Sequence, residues 1–573
     1  MSSRNPYLIN KAFRTYLMST VMSTMAVTFG SVLGSIVVGH VLGANALGAV
    51  SSIMPIIQML AALNALINIG GATVMAVHMG RGNLSETRGI FTKSMLMSLA
   101  LSIVIAVIGV AFIDDVVGAL CDDDVLFPMA KQYGTLVFAM SPLYMMMPGL
   151  GTFIRVDNAP RLATIAFVVS NVVNLVFAYA LMGFTDMGVS GFAVATGLGY
   201  VAGIIVMVPH LLKKECSLRF GKGTVRISEI LSMGSPTSLA MLFIMVNMIG
   251  MNVLVIDNLG SDGMAIRAVC NDIQLIASIF ISGISQTIQP VGGSLYGSED
   301  LTGMRLVTKI AMKYQVAATG AVTLIAFLFP VVFLYIYGIT DMSIRADAIH
   351  DIRLFAPCLV IKAVDYLIMV IFQVFGHRKL ALSISTVECL AILVASFALT
   401  PVSTDFIWFG FVIGEAFTLV YIVALSLFIR KIRPEFSGLL LLKKPEGHVF
   451  DLSMPGDGST MTEVLDDIER NLKDAGVEMG VVNRVGLCCE EILSNVVEHG
   501  VNGDPEDLVD IIVRITDSRV LVTVRDDGKM FDPIKYDSKG LGLPIVKGQC
   551  TDLNYTRAMN QNNVFMGFSR NTA

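Results

Sequence analysis

Gly80-Arg-Gly-Asn-Leu84-Ser85-Glu-Thr-Arg88 aligns without a gap on Gly297-Ser-Glu-Asp-Leu301-Thr302-Gly-Met-Arg305, and Met95 then falls on Met312. Glycine, leucine and arginine recur, with Asn83/Asp300 and Ser85/Thr302 as similar pairs. Each stretch is a charged loop between long apolar runs. Runs able to cross about 30 Å of hydrocarbon recur near 14–39, 47–78, 92–113, 130–151, 162–183, 188–212, 229–256, 264–290, 309–337, 350–376, 379–400 and 406–430. Both loops then join the second and third run of a six-run half. An even number of spans per half makes the halves parallel repeats, related by an axis along the membrane normal. The chain reads as a polytopic all-α membrane protein of twelve helices, with six-helix halves at 1–220 and 221–430.

Composition agrees. The 573 residues are 54% hydrophobic and 15% charged, against roughly 25% charge in a soluble domain. Charge becomes frequent only from Pro434 onward, which sets a soluble part apart from the spans. No long basic run points to nucleic acid as a partner. The eight cysteines show no CxxC spacing, which fits free thiols in a reducing compartment. Polar Met1 to Lys11 leads directly into an apolar run without a small-residue cleavage pattern, so the first helix is expected to stay as an anchor.

Loop charges set an expected orientation. Arg4, Lys11 and Arg14 share a side with Arg81, Arg88 and Lys93; with Lys213, Lys214, Arg219, Lys222 and Arg226; and with Arg305, Lys309, Arg378 and Lys379. The opposite loops carry Asp114, Asp115, Asp122, Asp123, Asp124, Asp186, Asp262 and Asp405. Both termini are therefore expected in the cytoplasm of a multi-pass inner-membrane protein, its spans in contact with lipid.

Ionisable groups inside a bilayer cost several kcal/mol and mark function by default. The first six spans hold almost none at their centres. In the second half, Asp365, Glu388 and Glu415 lie near the middles of the tenth, eleventh and twelfth runs, and Asp272 lies one to two turns into the eighth. These four are the candidate ion-coupling residues, for H⁺ through a carboxyl titrating near neutrality or for Na⁺ shared between carboxylates. Lys362, one turn before Asp365, reads as its ion-pair partner, and Arg267 as a partner for Asp272 or an interfacial residue.

After a linker at 431–447, residues 448–573 read as a cytoplasmic α+β domain. Strands are expected at 449–454, 508–516, 519–526, 552–557 and 563–569, with helices at 459–475, 478–500 and 542–549. Ser459 or Thr460 with Glu463 forms a capping-box pattern. Glu491-Ile-Leu-Ser-Asn495 places a carboxylate and an amide on one helical face, with His499 a turn further. An amide there can complete a Mg²⁺ shell shared with phosphate oxygens, and the carboxylate can orient or deprotonate a nucleophile. Asp526-Asp-Gly528 ends a strand in a turn where Asp526 can accept from an exocyclic amine. Gly540-Leu-Gly542-Leu543 opens a helix whose free N–H groups can cradle phosphates. The loop between Phe531 and Gly540 is short, so any lid over the site is expected to be small.

Two resemblances follow. Gly39-His-Val-Leu-Gly43-Ala-Asn-Ala-Leu47-Gly-Ala-Val-Ser51, Gly70-Gly-Ala-Thr73 with the Gly80–Arg88 loop, Asn174, Gly188-Val-Ser-Gly191-Phe-Ala-Val-Ala195-Thr196 and Gln286-Thr-Ile-Gln-Pro290 follow one another along the spans. Through these stretches residues 14–430 resemble the multidrug and toxic compound extrusion (MATE) transporters. That resemblance implies an antiporter exporting organic cations or other drug-like compounds on a proton or sodium gradient. Gly34 and Ala178 depart from it, standing where many members carry acids. Residues 449–570 resemble the GHKL ATPase superfamily, especially the anti-sigma-factor serine kinases, through the N box (Glu491, Asn495), the G1 box (Asp526, Gly528) and the G2 box (Gly540, Gly542). It implies a Bergerat-type domain binding ATP and Mg²⁺, with Glu491 as catalytic base, Asn495 on the metal and Asp526 on adenine. Asn562-Asn563 stands where relatives often have Gly-Thr, so a contact near adenine is expected to be missing. No Walker A motif is present to power transport directly. The alternative reading is a transporter-like membrane sensor controlling a serine/threonine kinase with a cytosolic protein substrate.

Overall fold

The computed structural model describes residues 4–120, 125–213, 216–336, 342–444, 446–501, 506–532, 534 and 542–570. Asp122, Asp123, Asp124, Lys214, Gly540 and the proposed lid beyond Asp532 lie largely or wholly outside them, as does the side chain of Asp262. Among the described residues, 11 helices are long and apolar enough to span a membrane, and 12 if the bent pair Phe127–Ala139 and Ser141–Val156 (51°) forms one span. They occur in the expected order, from Tyr7–Leu42 to Phe406–Ile432.

The repeat is written into the backbone. Gly43 follows the first span at φ 85, ψ 179, and Gly260, 217 residues later, ends the seventh at φ 62, ψ −148. Only glycine enters that region freely. Gly82 and Glu299 form a second pair at the same spacing, both at positive φ. The residue after each caps the next helix. Asn83 accepts from Glu86 N and Asp300 from Gly303 N, and the capped helices Leu84–Ala111 and Leu301–Leu328 are both 28 residues long.

The two halves meet at the motif itself. A Cβ at Gly80 would strike the Ser294 carbonyl, and one at Gly297 would strike the Val77 carbonyl and approach Gly80 Cα. These contacts exchange under the repeat, so second and eighth spans touch backbone to backbone at their domain-side ends.

The C-terminal domain has five antiparallel strands: β1 His448–Pro455, β2 Leu508–Ile515, β3 Arg519–Asp526, β4 Asp552–Ala558 and β5 Gln561–Ser569, in the order β1-β2-β3-β5-β4. Helices α1 (Met461–Asp474), α2 (Met479–Asn495) and α3 (Gly542–Gln549) accompany it. Side chains alternate across each strand. Val520, Val522 and Val524 of β3, with Val509, Ile511 and Val513 of β2, pack with Ile468, Val485, Ile492 and Val546 of the helices. Two local expectations fail. Thr460 caps α1 without a side-chain bond; Asp457 instead accepts from Ser459 N. The helix expected to reach 500 leaves α-geometry at Val496 and finishes as one π turn to Gly500. The linker forms a two-residue hairpin, Phe436–Ser437 against Leu442–Lys443.

The other sheet face is polar, yet buried: Asp510, Arg525, Thr556, Gln561 and Asn563 are at most 2% exposed. It lies on the membrane part. Arg525 Nη1 donates to Asp300 Oδ2 at 2.9 Å, and Arg4 bridges Asp300 (2.7 Å) and Asp510 (2.6 Å). Thr556 Oγ1 donates to Met79 O, Asn158 Nδ2 to Arg557 O, and Gln561 Nε2 to Leu8 O. Burial works against the Asp300 charge, but Arg4 and Arg525 outweigh it and hold the carboxyl at about 2.

Gly260→Ala should destabilise the full chain by about 1–3 kcal/mol, read as earlier thermal unfolding in detergent. Gly183→Ala, at a position with open space around it, should leave the melt unchanged.

Candidate functional site

Glu491 and Asn495 share one face of α2: Asn495 Nδ2 donates to Glu491 O (2.6 Å) and to Oε1 (3.1 Å). Gly542, first residue of α3, packs so closely that a Cβ would fall on the Glu491 carboxylate. The first and third motifs are thus in contact. Asp526 ends β3 and is 1% exposed. Its Oδ1 accepts from Gly528 N at 3.0 Å and from Asn562 Nδ2 at 2.8 Å. Burial pushes this carboxyl up to about 6, the bonds from Asn562 and Gly528 pulling the other way.

Asn562 is itself fixed toward Asp526. Its Oδ1 accepts from Tyr555 OH and Arg557 Nη1, both at 2.8 Å, which fixes its amide toward Asp526. Arg557 also reaches Gly528 O, and Lys529 N donates to Gly500 O, so the turn is tied both to the sheet and to the end of the π turn. The His499 and Phe531 rings lie 5.2 Å apart.

In the spans, three of the four acids lie around one lysine, but not in the expected pairing. Lys362 Nζ lies 2.5 Å from Glu388 Oε1 and 3.1 Å from Glu415 Oε1. Asp365 is fully buried with neither oxygen hydrogen-bonded. One helical turn separates Lys362 from Asp365, but the lysine reaches across to the neighbouring spans. Arg267 is buried over the Phe411 ring at 5.2 Å and forms no ion pair with Asp272. Asp272 is half-buried and makes no ion pair among the described residues. A further cluster escaped the sequence reading: Asp157, His210 and Cys216 converge, with His210 Nε2 2.8 Å from Asp157 Oδ2. Their separation in sequence hid it.

The spans, their repeat and a buried charge cluster define the class: a polytopic transporter fold carrying a nucleotide-type sheet domain. Comparison makes this specific. The model of the MatE family matches residues 20–180, and that of the histidine kinase-like ATPase domain matches 454–568. The chain carries a MatE domain and a histidine kinase-like ATPase domain. "Probable multidrug resistance protein YoeA" of Bacillus subtilis is 20% identical over 56% of this chain and 71% of its own length. "Multidrug export protein MepA" of Staphylococcus haemolyticus is 23% identical over 47% of this chain, which spans 60% of that relative. A MOP superfamily transporter from Pyrococcus furiosus superposes with a TM-score of 0.67 at 20% identity, covering 74% of this chain and 96% of that one. The outward-facing conformation of a multidrug resistance MATE family transporter gives the same values.

Because Asp526 is held at about 6 in the folded chain against about 3.9 unfolded, its ionisation opposes folding. Stability is then full below about pH 4 and falls as pH rises through 6. Asp526→Asn should stabilise the domain by about 2–3 kcal/mol at pH 7.5 and hardly at pH 4, in denaturant melts of the full chain. Equal gains at both pH values would contradict this.

Proposed function

We propose that this chain is an antiporter driven by a proton or sodium gradient, exporting organic cations or other drug-like compounds, with ATP and Mg²⁺ bound in its C-terminal domain as regulators. The observation carrying the transport reading is Asp365, buried in the tenth span with neither oxygen hydrogen-bonded, beside two glutamates that share one lysine. Such a carboxyl is tolerated in hydrocarbon only with a proton or cation on it. Taking up and releasing that ion changes the charge inside the fold, which is what a coupled carrier needs. Asp365 is the principal coupling residue, Glu415 and Glu388 tune it through Lys362, and Asp272 is a secondary candidate. The multidrug names of the relatives support a small organic substrate. Loop charge supports cytoplasmic termini, with halves at 1–220 and 221–430, a linker at 431–447 and the regulatory domain from 448.

The domain's residues fit a purine nucleotide. Asp526 keeps Oδ2 outside its two bonds, both of which fall on Oδ1, and Gly542, where a Cβ would strike Glu491, lets the start of α3 lie directly against that carboxylate. Asp526 would accept from the adenine amine with Gly528 shaping the turn, Asn495 would complete the metal shell, and Gly540 with Gly542 would lie along the phosphates. Glu491 would take a proton from a hydroxyl, as phosphorylation of a cytosolic protein would require. Regulation is supported by adjacency. Arg525, bonded to Asp300, and Asp526 are consecutive on β3 and face opposite sides of the sheet.

In inverted membrane vesicles, uptake of a fluorescent organic cation should collapse with a protonophore or a sodium ionophore, whichever ion is used. Asp365→Asn should reduce it to background. Uptake indifferent to both ionophores would remove the antiporter reading. A lost phosphorylation output in Glu491→Ala without any transport to lose would favour the sensor.

A further inference from the structure

The docked domain encloses a cavity of about 450 Å³ where the membrane part, the linker and the sheet meet. Its wall is drawn from separate elements: Arg81 after the second span, Leu301 and Met304 opening the ninth, Phe375 after the tenth, and Arg433 and Lys444 flanking the linker hairpin. The charges there do not balance. Of the five arginines and lysines lining it, Arg514 is paired with Glu299 and Lys443 with Glu446. Arg81, Arg433 and Lys444 have no carboxylate within 4.0 Å among the described residues. Glu435 is close by: its backbone carbonyl accepts from Lys444 N at 2.8 Å and its carboxylate acts on Lys443, which leaves five cationic side chains against three carboxylates. His377 adds no charge: it bonds the Leu441 carbonyl at 2.8 Å, and burial holds its ring below the usual histidine range.

Like charges gathered in a concave, low-dielectric pocket repel one another and focus a positive potential into it. Basic residues near a membrane surface are commonplace. Three that converge from the end of the second span and the two ends of the linker hairpin on one cavity with an apolar wall are not, because scattered solvation would serve them better. An anion with several strong acceptor oxygens relieves that repulsion through charge-assisted bonds. The wall of Leu301, Met304 and Phe375 suits an organic group attached to it.

We propose that this cavity is a binding site for a phosphate-bearing anion, distinct from the nucleotide site, that cross-links both halves, the linker and the domain. The phosphate belongs either to a soluble ester or to an anionic phospholipid headgroup entering from the adjacent leaflet. Occupation ties the hairpin to the span ends and so stabilises the docked domain.

The test uses the full chain in lipid nanodiscs, with hydrogen exchange of residues 436–444 as readout. One arm adds inorganic pyrophosphate to phosphatidylcholine discs; the other replaces a part of the phosphatidylcholine by phosphatidylglycerol. Slowed exchange in the first arm assigns a soluble ester, in the second a headgroup, and either supports the site. The same response is expected in Asn495→Ala, which separates it from the nucleotide reading. Arg433→Gln with Lys444→Gln should weaken the response about tenfold or more in apparent affinity, whereas Arg433→Lys with Lys444→Arg should retain it. No response in either arm, or an undiminished response in the glutamine pair, would overturn the proposal.

Discussion

Everything else in the molecule is built over the place where Gly80 and Gly297 bring two helices into backbone contact. Any side chain at either position would push the second and eighth spans apart, because each Cβ would meet a carbonyl of the other helix. Two residues on from these glycines the chain turns through a left-handed residue, and one further it caps the next span. Four residues thus do three things in each half: they close the seam, reverse the chain and start a helix. In the second half the capping residue has a fourth role. Asp300 Oδ1 accepts from Gly303 N, while Oδ2 accepts from Arg4 and Arg525.

That second set of bonds seats the domain. A guanidinium and a carboxylate buried together gain little over an apolar pair, but removing either partner costs about 3–5 kcal/mol because a lone charge is left behind. Such a contact specifies a position more than it supplies stability. Asp300, Arg525, Asp510 and Arg4 admit one seating of the sheet, with Met79 and Asn158 of the first half completing it. The domain therefore rests on both halves over their seam. Rocking of one half against the other has to break or carry these bonds, and strand β3 connects them to Asp526 without an intervening residue. Burial raises the carboxyl of Asp526, so its ionisation costs stability on the sheet face turned away from the seam.

Most of the architecture was legible in the sequence because two strong signals lay there. Apolar runs of membrane length cannot be mistaken for soluble helices, and the alignment of 80–88 with 297–305 set the halves in register. The domain's strands and helices lie close to their expected bounds, and the first and third motifs meet, Glu491 against Gly542. What stayed hidden depended on contacts between distant segments. The polar face of the sheet reads as a solvated surface, yet Asp510, Arg525 and Gln561 are buried because another part of the chain covers them. Lys362 was matched with its neighbour in sequence, Asp365, whereas in space it serves Glu388 and Glu415.

The seating of the sheet across the seam is tested most directly by the distance between spin labels at Ser85, in the first loop of the repeat, and Asn554, on β4. Both line one cleft between the loop and the sheet. In the full chain in nanodiscs, without nucleotide, a docked domain gives one narrow, short distance peak. That peak broadens and lengthens when Asp300→Asn and Arg525→Gln are combined. A broad, long distribution in the unaltered chain, that of a domain free on its linker, would contradict the account.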